Sequence, residues 1–327
     1  MTANAYGFGL APQPPFYQAG DGIRTPYGTL LPPGGKIAAY LRSTGVQDLT
    51  DEWTRSGLLV TTTAEALKRV RAGLGDTIYV LPGHSEDVVD ATMFDNLVAG
   101  TRIIGVGDPR HSDAPKFTWN TAVTASWTVD KADVTIQGLH LDFTGIDAVT
   151  NCINVTAAGL TFANNFCLVE DSGGKPVKVF GSPDGADKMR IINNEFIGEE
   201  GGGTPILLDL DDADAGDDIL FANNLVDGDF NNTNGIINVA GAVKRLKLIN
   251  CLLTNRTTSS TRTVHVADVA ASGTFLNVYS HTMNDGVGTA QGILFAGTTN
   301  PVISCIECYN ADENGRNGVL SPAALAT

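Results

Sequence analysis

Short stretches of alternating apolar residues recur along most of this chain, and many close on a polar residue that is chiefly asparagine. The frame is two apolar-rich residues followed by Asn, often doubled. It reads Phe162-Ala163-Asn164-Asn165, Ile191-Ile192-Asn193-Asn194, Phe221-Ala222-Asn223-Asn224 and Leu248-Ile249-Asn250-Cys251. It continues as Phe275-Leu276-Asn277-Val278 and Val302-Ile303-Ser304-Cys305, and a degenerate copy stands earlier at Ile136-Gln137-Gly138-Leu139. Frame positions 138, 164, 193, 223, 250, 277 and 304 are 26, 29, 30, 27, 27 and 27 residues apart, which is an internal repeat. Between frames lies a second short strand, apolar–variable–apolar. Its copies are Ile153-Asn154-Val155, Val177-Lys178-Val179, Leu208-Asp209-Leu210, Ile237-Asn238-Val239, Val264-His265-Val266 and Ile293-Leu294-Phe295. Each repeat thus holds two or more strands and turns rich in Gly, Asn and Asp, with no room for a helix. That content in ~27 residues predicts one coil of a right-handed, single-stranded parallel β-helix, an all-β fold.

Asparagine has a physical task in such a coil. It tolerates the left-handed backbone of a tight turn, and its amide can bond to the Asn of the next coil, about 4.8 Å away. Three Asn fall in the first 150 residues and twenty in the remaining 177. Asn164, Asn193, Asn223, Asn250 and Asn277 are therefore expected to stack in one turn. Which Asn of each pair faces inward stays open, because a left-handed residue breaks the alternation.

Traced backwards, Asp76-Thr77-Ile78-Tyr79-Val80-Leu81-Pro82-Gly83 reads as a first strand and Thr101-Arg102-Ile103-Ile104-Gly105-Val106-Gly107 as the next coil. Residues 77–327 are assigned to the β-helix, about nine coils at the inter-strand spacing. Residues 61–76 are assigned to a capping helix: Thr62-x-x-Glu65 is a capping box, Ala66, Leu67, Val70 and Leu74 share a side, and Gly73 or Gly75 ends it. Residues 1–60 are assigned to an extended arm, whose first 35 residues are rich in Pro and Gly. Tyr6, Phe8, Phe16, Tyr17 and Tyr27 are interleaved there, more aromatics than a disordered tail carries. A flexible leader and an arm ordered on a partner surface are both open.

Composition narrows the classes. The chain has 327 residues, 17% charged, 37 Gly and a formal net charge of −15. This acidity, with Lys68-Arg69-x-Arg71 and Lys244-Arg245-x-Lys247 as the only basic clusters, argues against a nucleic-acid partner. No apolar run approaches the ~18–20 residues of a membrane span, and Met1 to Leu10 has no secretory pattern, so no membrane partner is expected. Five Cys at 152, 167, 251, 305 and 308 imply no disulfide framework. In Cys305-x-x-Cys308, three steps along a strand would send the side chains to opposite faces.

The outward column of the second strand reads Asn154, Lys178, Asp209, Asn238 and His265, then Leu294. β-helix enzymes that cleave polysaccharides carry paired acids on such faces, and no two acids fall on adjacent coils here. Asp209 and His265 stand two coils apart, roughly 10 Å, too far to share a proton directly. The acidic run Asp209, Asp211, Asp212, Asp214, Asp217 and Asp218 does not fit a calcium loop, and no His pair has metal spacing. The column is read as a solvated or inter-subunit face, with no catalytic, metal or cofactor site assigned.

The segment 75–86 followed by Ile103-Ile104-Gly105-Val106-Gly107, with the later Ala132-Asp133-Val134-Thr135-Ile136-Gln137-Gly138-Leu139, resembles the first coils of pectate-lyase-like β-helix proteins from tailed phages. The likeness covers about residues 62–260. It implies a non-enzymatic virion protein, most like capsid decoration (cement or head-spike) proteins. It also implies a homotrimer on the capsid exterior that binds the major capsid protein through the arm. Other relatives of that kind are tail spikes, so a polysaccharide lyase or hydrolase is the alternative.

Overall fold

The structure, a computed structural model, describes residues 35–43, 58–120, 123–145, 148–170, 176–181, 185–198, 205–211, 216–231, 233–257, 262–268, 270–282, 292–295 and 302–312. The short strands Tyr17–Ala19, Gly22–Arg24, Leu30–Leu31 and Gly318–Val319 are described as backbone. The described strands of the body form a parallel β-solenoid of the right-handed type, with about seven turns and almost no helix. Its three walls are parallel sheets of 11, 7 and 10 strands, the last closed by one antiparallel strand.

One turn shows the plan. Trp127–Val129 lies in the seven-stranded wall, Thr135–Gln137 in the eleven-stranded wall and His140–Asp142 in the ten-stranded wall. The chain then returns to the seven-stranded wall at Ile153–Val155, beside Trp127–Val129. Two residues separate the second and third strands, and that corner is where the Asn frame falls. Hydrogen bonds run from coil to coil, so alternation sends every second residue inward.

The inward columns make one continuous core. Ile78, Ile103, Ile136, Phe162, Ile191, Phe221, Leu248 and Phe275 follow one another on the eleven-stranded wall, and all are buried. Near the first turns the core is aromatic: Trp127 lies 4.7 Å from Phe94 and 4.9 Å from both Phe117 and Trp119, centroid to centroid. Farther along the same columns smaller residues and rings follow one another, Trp127 by Ile153 and Phe180, and Phe117 by Leu141, Cys167 and Phe196, filling the space between the three walls.

Among the described residues, two corners carry a left-handed residue in coil after coil. The first is Gly138, Asn164, Asn193, Asn223, Asn250, Asn277 and Glu307, each with φ between 51° and 71°. The second precedes the eleven-stranded wall and comprises Gly100, Asp133, Gly159, Lys188, Asp218 and Arg245, with φ between 58° and 83°. At Gly159, with φ 83°, a Cβ would stand 2.4 Å from Asp133 Oδ1, a side-chain atom that can move aside, and 3.2 Å from Asp133 N, a tight approach that glycine avoids. The last member of the first corner is Glu307, not Ser304. Strand Val302–Ile306 pairs over all five residues with Ser272–Leu276, which puts Ile306 opposite Leu276 and moves the frame three residues on.

The helix expected over 61–76 is the single short element Thr63–Leu67. Thr62 Oγ1 accepts the Glu65 N–H at 3.4 Å, and another donor of the first turn, Thr63, is satisfied from outside the helix. The Glu86 carboxylate accepts the Thr63 N–H at 3.0 Å and its hydroxyl at 2.7 Å. Ala66, Leu67 and Val70 join the core, whereas Leu74 lies beyond the helix and is exposed. Two solenoid strands fall inside residues 1–60. Ile37–Leu41, buried at every position, pairs in parallel with Thr77–Val80 on one side and Leu59–Val60 on the other. Its run of five apolar residues has no polar face because the wall is covered on both sides there: Tyr40, Tyr79, Leu81 and Ile104 form a second apolar cluster outside it. Asp76 ties the region together, its buried carboxylate accepting the Lys36 N–H at 2.9 Å and the Arg71 N–H, Nε and Nη2 at 3.0, 2.8 and 2.7 Å.

Candidate functional site

The outer face of the seven-stranded wall brings most of the expected column together. Its register aligns Thr128, Asn154, Gly181, Asp209, Asn238, His265 and Leu294. Lys178 is not a member. Phe180, not Val179, faces Ile153 and Leu208, so Gly181 takes the column position and Lys178 pairs with Ile206. Val179 and Phe180 are both buried, and two adjacent buried apolar residues give the apolar–variable–apolar pattern two registers to choose from.

Lys178 nevertheless reaches the column. Its Nζ lies 2.6 Å from Asp209 Oδ2 and 2.8 Å from Asp211 Oδ2. On the other side of Asp209, the Asn238 amide donates to Oδ1 at 2.7 Å, and Asn238 Oδ1 lies 3.0 Å from His265 Nδ1. Asp209 and His265, two coils apart, are thus linked through the amide between them. Asp209 and Asn238 are buried. Burial pushes the Asp209 carboxyl above the usual carboxylate range, against the pull of Lys178 and Asn238. Burial alone would lower Lys178, but the two carboxylates outweigh it and raise it. His265 is held below the usual imidazole value by burial and by the Arg262 charge. Chemically the row is a chain of donors and acceptors, carboxylate to amide to imidazole, anchored by one ammonium.

The rest of the acidic run divides. Asp217 Oδ1 accepts the Lys244 N–H at 2.9 Å, and Asp218 pairs with Arg245, so the basic cluster 244–247 meets acids one coil below it. Asp212 and Asp214 lie outside the described residues. Among the described residues no group of three His, Cys, Asp or Glu is placed to hold a metal ion. Among them, too, no helix is long and apolar enough to cross a membrane. Tyr6, Phe8, Phe16 and Tyr27 lie outside the described residues, and Tyr17 opens the strand Tyr17–Ala19.

At the asparagine corner there are two ladders. Asn164, Asn193, Asn223, Asn250 and Asn277 are the left-handed, exposed members. Their amides link Asn223 to Asn193 at 3.0 Å, Asn250 to Asn223 at 3.2 Å and Asn277 to Asn250 at 3.0 Å. The next residues, Asn165, Asn194 and Asn224, turn inward and are 2% exposed. Asn165 Nδ2 donates to Asn194 Oδ1 and Asn194 Nδ2 to Asn224 Oδ1, both at 3.1 Å. Each of these oxygens also accepts the backbone N–H of the Asn below it at 2.9 Å. The doubling of Asn in the three frames was the signal for this inner ladder. Cys251 continues it, its Sγ 3.5 Å from Phe221 O, the carbonyl equivalent to the Ile191 O that Asn224 Nδ2 bonds.

The outer face of the ten-stranded wall turns apolar toward the last coils. Phe166, Glu195, Leu225, Leu252, Tyr279 and Tyr309 align in one outward column. Leu252, Tyr279 and Tyr309 are exposed, and the two tyrosine rings stack at 5.2 Å. Lower down, polar pairs take over: Glu195 with Arg110, and Lys116 Nζ with Asp142 Oδ2 at 2.7 Å.

No family model, no curated protein and no solved structure matches this chain.

Proposed function

We propose that this chain is a non-enzymatic structural protein of a tailed-phage virion, a capsid decoration or cement protein. In this reading it is a trimer of β-helices of about nine coils, each closed at its first coil by the helix Thr63–Leu67. The arm binds the major capsid protein and the solenoid stands on the capsid exterior. The observation that carries the reading is the engagement of the outward polar row. Lys178, Asp209, Asn238 and His265 bond one another from coil to coil, the arrangement of a stitched wall. The apolar column ending in Leu252, Tyr279 and Tyr309 supports the trimer, since an outward face of that character is suited to packing against another copy.

The test is deletion of residues 1–35, which leaves the strand Ile37–Leu41 in place. The truncated protein is expected to fold and trimerise but to be lost from purified capsids. Unchanged retention on the shell overturns the proposal. The alternative, a tail spike or secreted polysaccharide lyase or hydrolase, draws its support from Asp209 and Asp211 converging on one ammonium with the Asp209 carboxyl pushed up. It requires release of reducing ends or unsaturated sugars from a polysaccharide, abolished by Asp209→Asn.

A further inference from the structure

The last coil breaks the expectation that Cys305 and Cys308 face opposite ways. Cys305 stands in register with Phe275, in the inward column that holds Phe162 and Phe221, and packs against the core. The next corner residue, Glu307, is left-handed with φ 51°, so alternation is broken between the two cysteines. Cys308 therefore takes the inner-ladder position held by Asn165, Asn194, Asn224 and Cys251 in other coils. It is buried, its Sγ 3.4 Å from Phe275 O and 3.5 Å from Ile306 O. In earlier coils these two positions hold Phe162 with Asn165 and Phe221 with Asn224. Here both carry a thiol, and both adjoin Phe275 of the coil below, Cys305 by register and Cys308 by its Sγ on the Phe275 carbonyl. Cys305 is partly open to solvent, unlike Cys152 and Cys167 inside the solenoid.

We propose that Cys305 and Cys308 are a dithiol–disulfide couple, an oxidation site at the last described coil that responds to peroxide. The geometry supplies two thiols three residues apart on the inner side of one corner, both against Phe275, in a coil whose core side is not buried as deeply as those before it. The neighbouring Cys305 thiol brings the Cys308 thiol down to about 7 against the effect of burial, so a thiolate is present near neutral pH. The Cys305 thiol is correspondingly raised. Peroxide reaches the pair from the partly open Cys305 side, and the buried Cys308 thiolate attacks its O–O bond, forming a sulfenic acid and releasing hydroxide. The Cys305 sulfur then displaces the sulfenic oxygen as water and closes the S–S bond. Two thiols and one peroxide become one disulfide and two waters, the peroxide taking the two electrons. The closed loop holds only two residues between the cysteines, so the bond is of the labile, reducible class rather than a structural one. Closing it removes the Cys308 S–H donor from the core side of the corner.

Full-length protein is treated with hydrogen peroxide near neutral pH, alkylated after unfolding, digested and analysed by mass spectrometry. The peptide carrying both residues is expected unalkylated and lighter by two hydrogens, with reduction by dithiothreitol restoring both alkylation sites. Cys152 and Cys167, whose thiols burial pushes far up, are expected to remain alkylatable throughout. In Cys305→Ser, dimedone present as the peroxide-treated protein is unfolded is expected to trap Cys308 as a sulfenic acid. Full alkylation of both cysteines after peroxide, or oxygen added to each without a crosslink, overturns the proposal.

Discussion

Replacing Asn194 by Ala tests whether the inner ladder holds the corner together. Asn194 is 2% exposed and makes four side-chain hydrogen bonds. Its Oδ1 accepts the Asn165 N–H at 2.9 Å and Asn165 Nδ2 at 3.1 Å. Its Nδ2 donates to Phe162 O at 3.0 Å and to Asn224 Oδ1 at 3.1 Å. Removal leaves the Asn165 N–H without its acceptor in a buried place, a loss of about 1–3 kcal/mol, and the other bonds add about 0.5–1.5 kcal/mol each before relaxation. A total of about 3–5 kcal/mol is expected. Ala imposes no backbone strain at this position, because the left-handed residue is the neighbour, Asn193, at φ 55°. That neighbour is the control. Asn193→Gly keeps the left-handed turn and removes an exposed amide, so it is expected within about 1 kcal/mol of the parent. Guanidinium unfolding followed by circular dichroism compares the three proteins. If Asn194→Ala unfolds with the parent, or if the two substitutions cost the same, the inner ladder does not carry the corner.

Two further expectations follow from the same contacts. Cys251 occupies the next rung above Asn224, so Cys251→Asn would place an amide where its Nδ2 meets Phe221 O and its Oδ1 meets Asn224; a gain of about 0.5–1.5 kcal/mol is expected in the same unfolding assay, and a loss would show that the rung does not admit an amide. His265 has a folded pKa below its unfolded value, so the unfolded chain protonates first. The stability it contributes is present above the ordinary imidazole value, ~6.5, and is lost as pH falls through that value toward the lowered one. His265→Gln removes this part of the slope, while His140, also lowered by burial, leaves the remainder. Identical pH dependence of the variant and the parent would refute the assignment.

How much of this was legible in the sequence depends on how far each residue type is dictated by one requirement. The asparagine corner was legible because both of its positions select Asn: the outer for its backbone, the inner for an amide that donates and accepts at once. The second left-handed corner was not, since Gly100, Asp133, Gly159, Lys188, Asp218 and Arg245 share a backbone conformation and no side-chain chemistry. There the side chain faces solvent, and the coil-to-coil backbone bonds, such as Gly159 N–H to Asp187 O at 2.7 Å, do not depend on it. The polar row was half legible. Asp209, Asn238 and His265 follow from alternation, whereas Asp211 enters only through the reach of a lysine that alternation had misplaced.

The two register errors share a cause that also explains the cysteine pair. Period-two alternation is a property of a strand interior, and in this fold the strands are two to five residues long. Most residues therefore lie within two positions of a corner, where one left-handed residue reverses the parity of everything after it. Val177-Lys178-Val179 and Val179-Phe180-Gly181 both offer plausible strands, as do Val302-Ile303-Ser304-Cys305 and Cys305-Ile306-Glu307-Cys308 for the frame. The choice between them is made by pairing with the adjacent coil: Gly181 has to meet Asp209, and Glu307 has to follow the strand opposite Leu276. A neighbour three residues away on an uninterrupted strand faces the other side. Across a left-handed corner it faces the same side, which is how Phe162 and Asn165, and equally Cys305 and Cys308, come to share the interior. In a solenoid of short strands, inside and outside have to be counted from the corners, not from the strands.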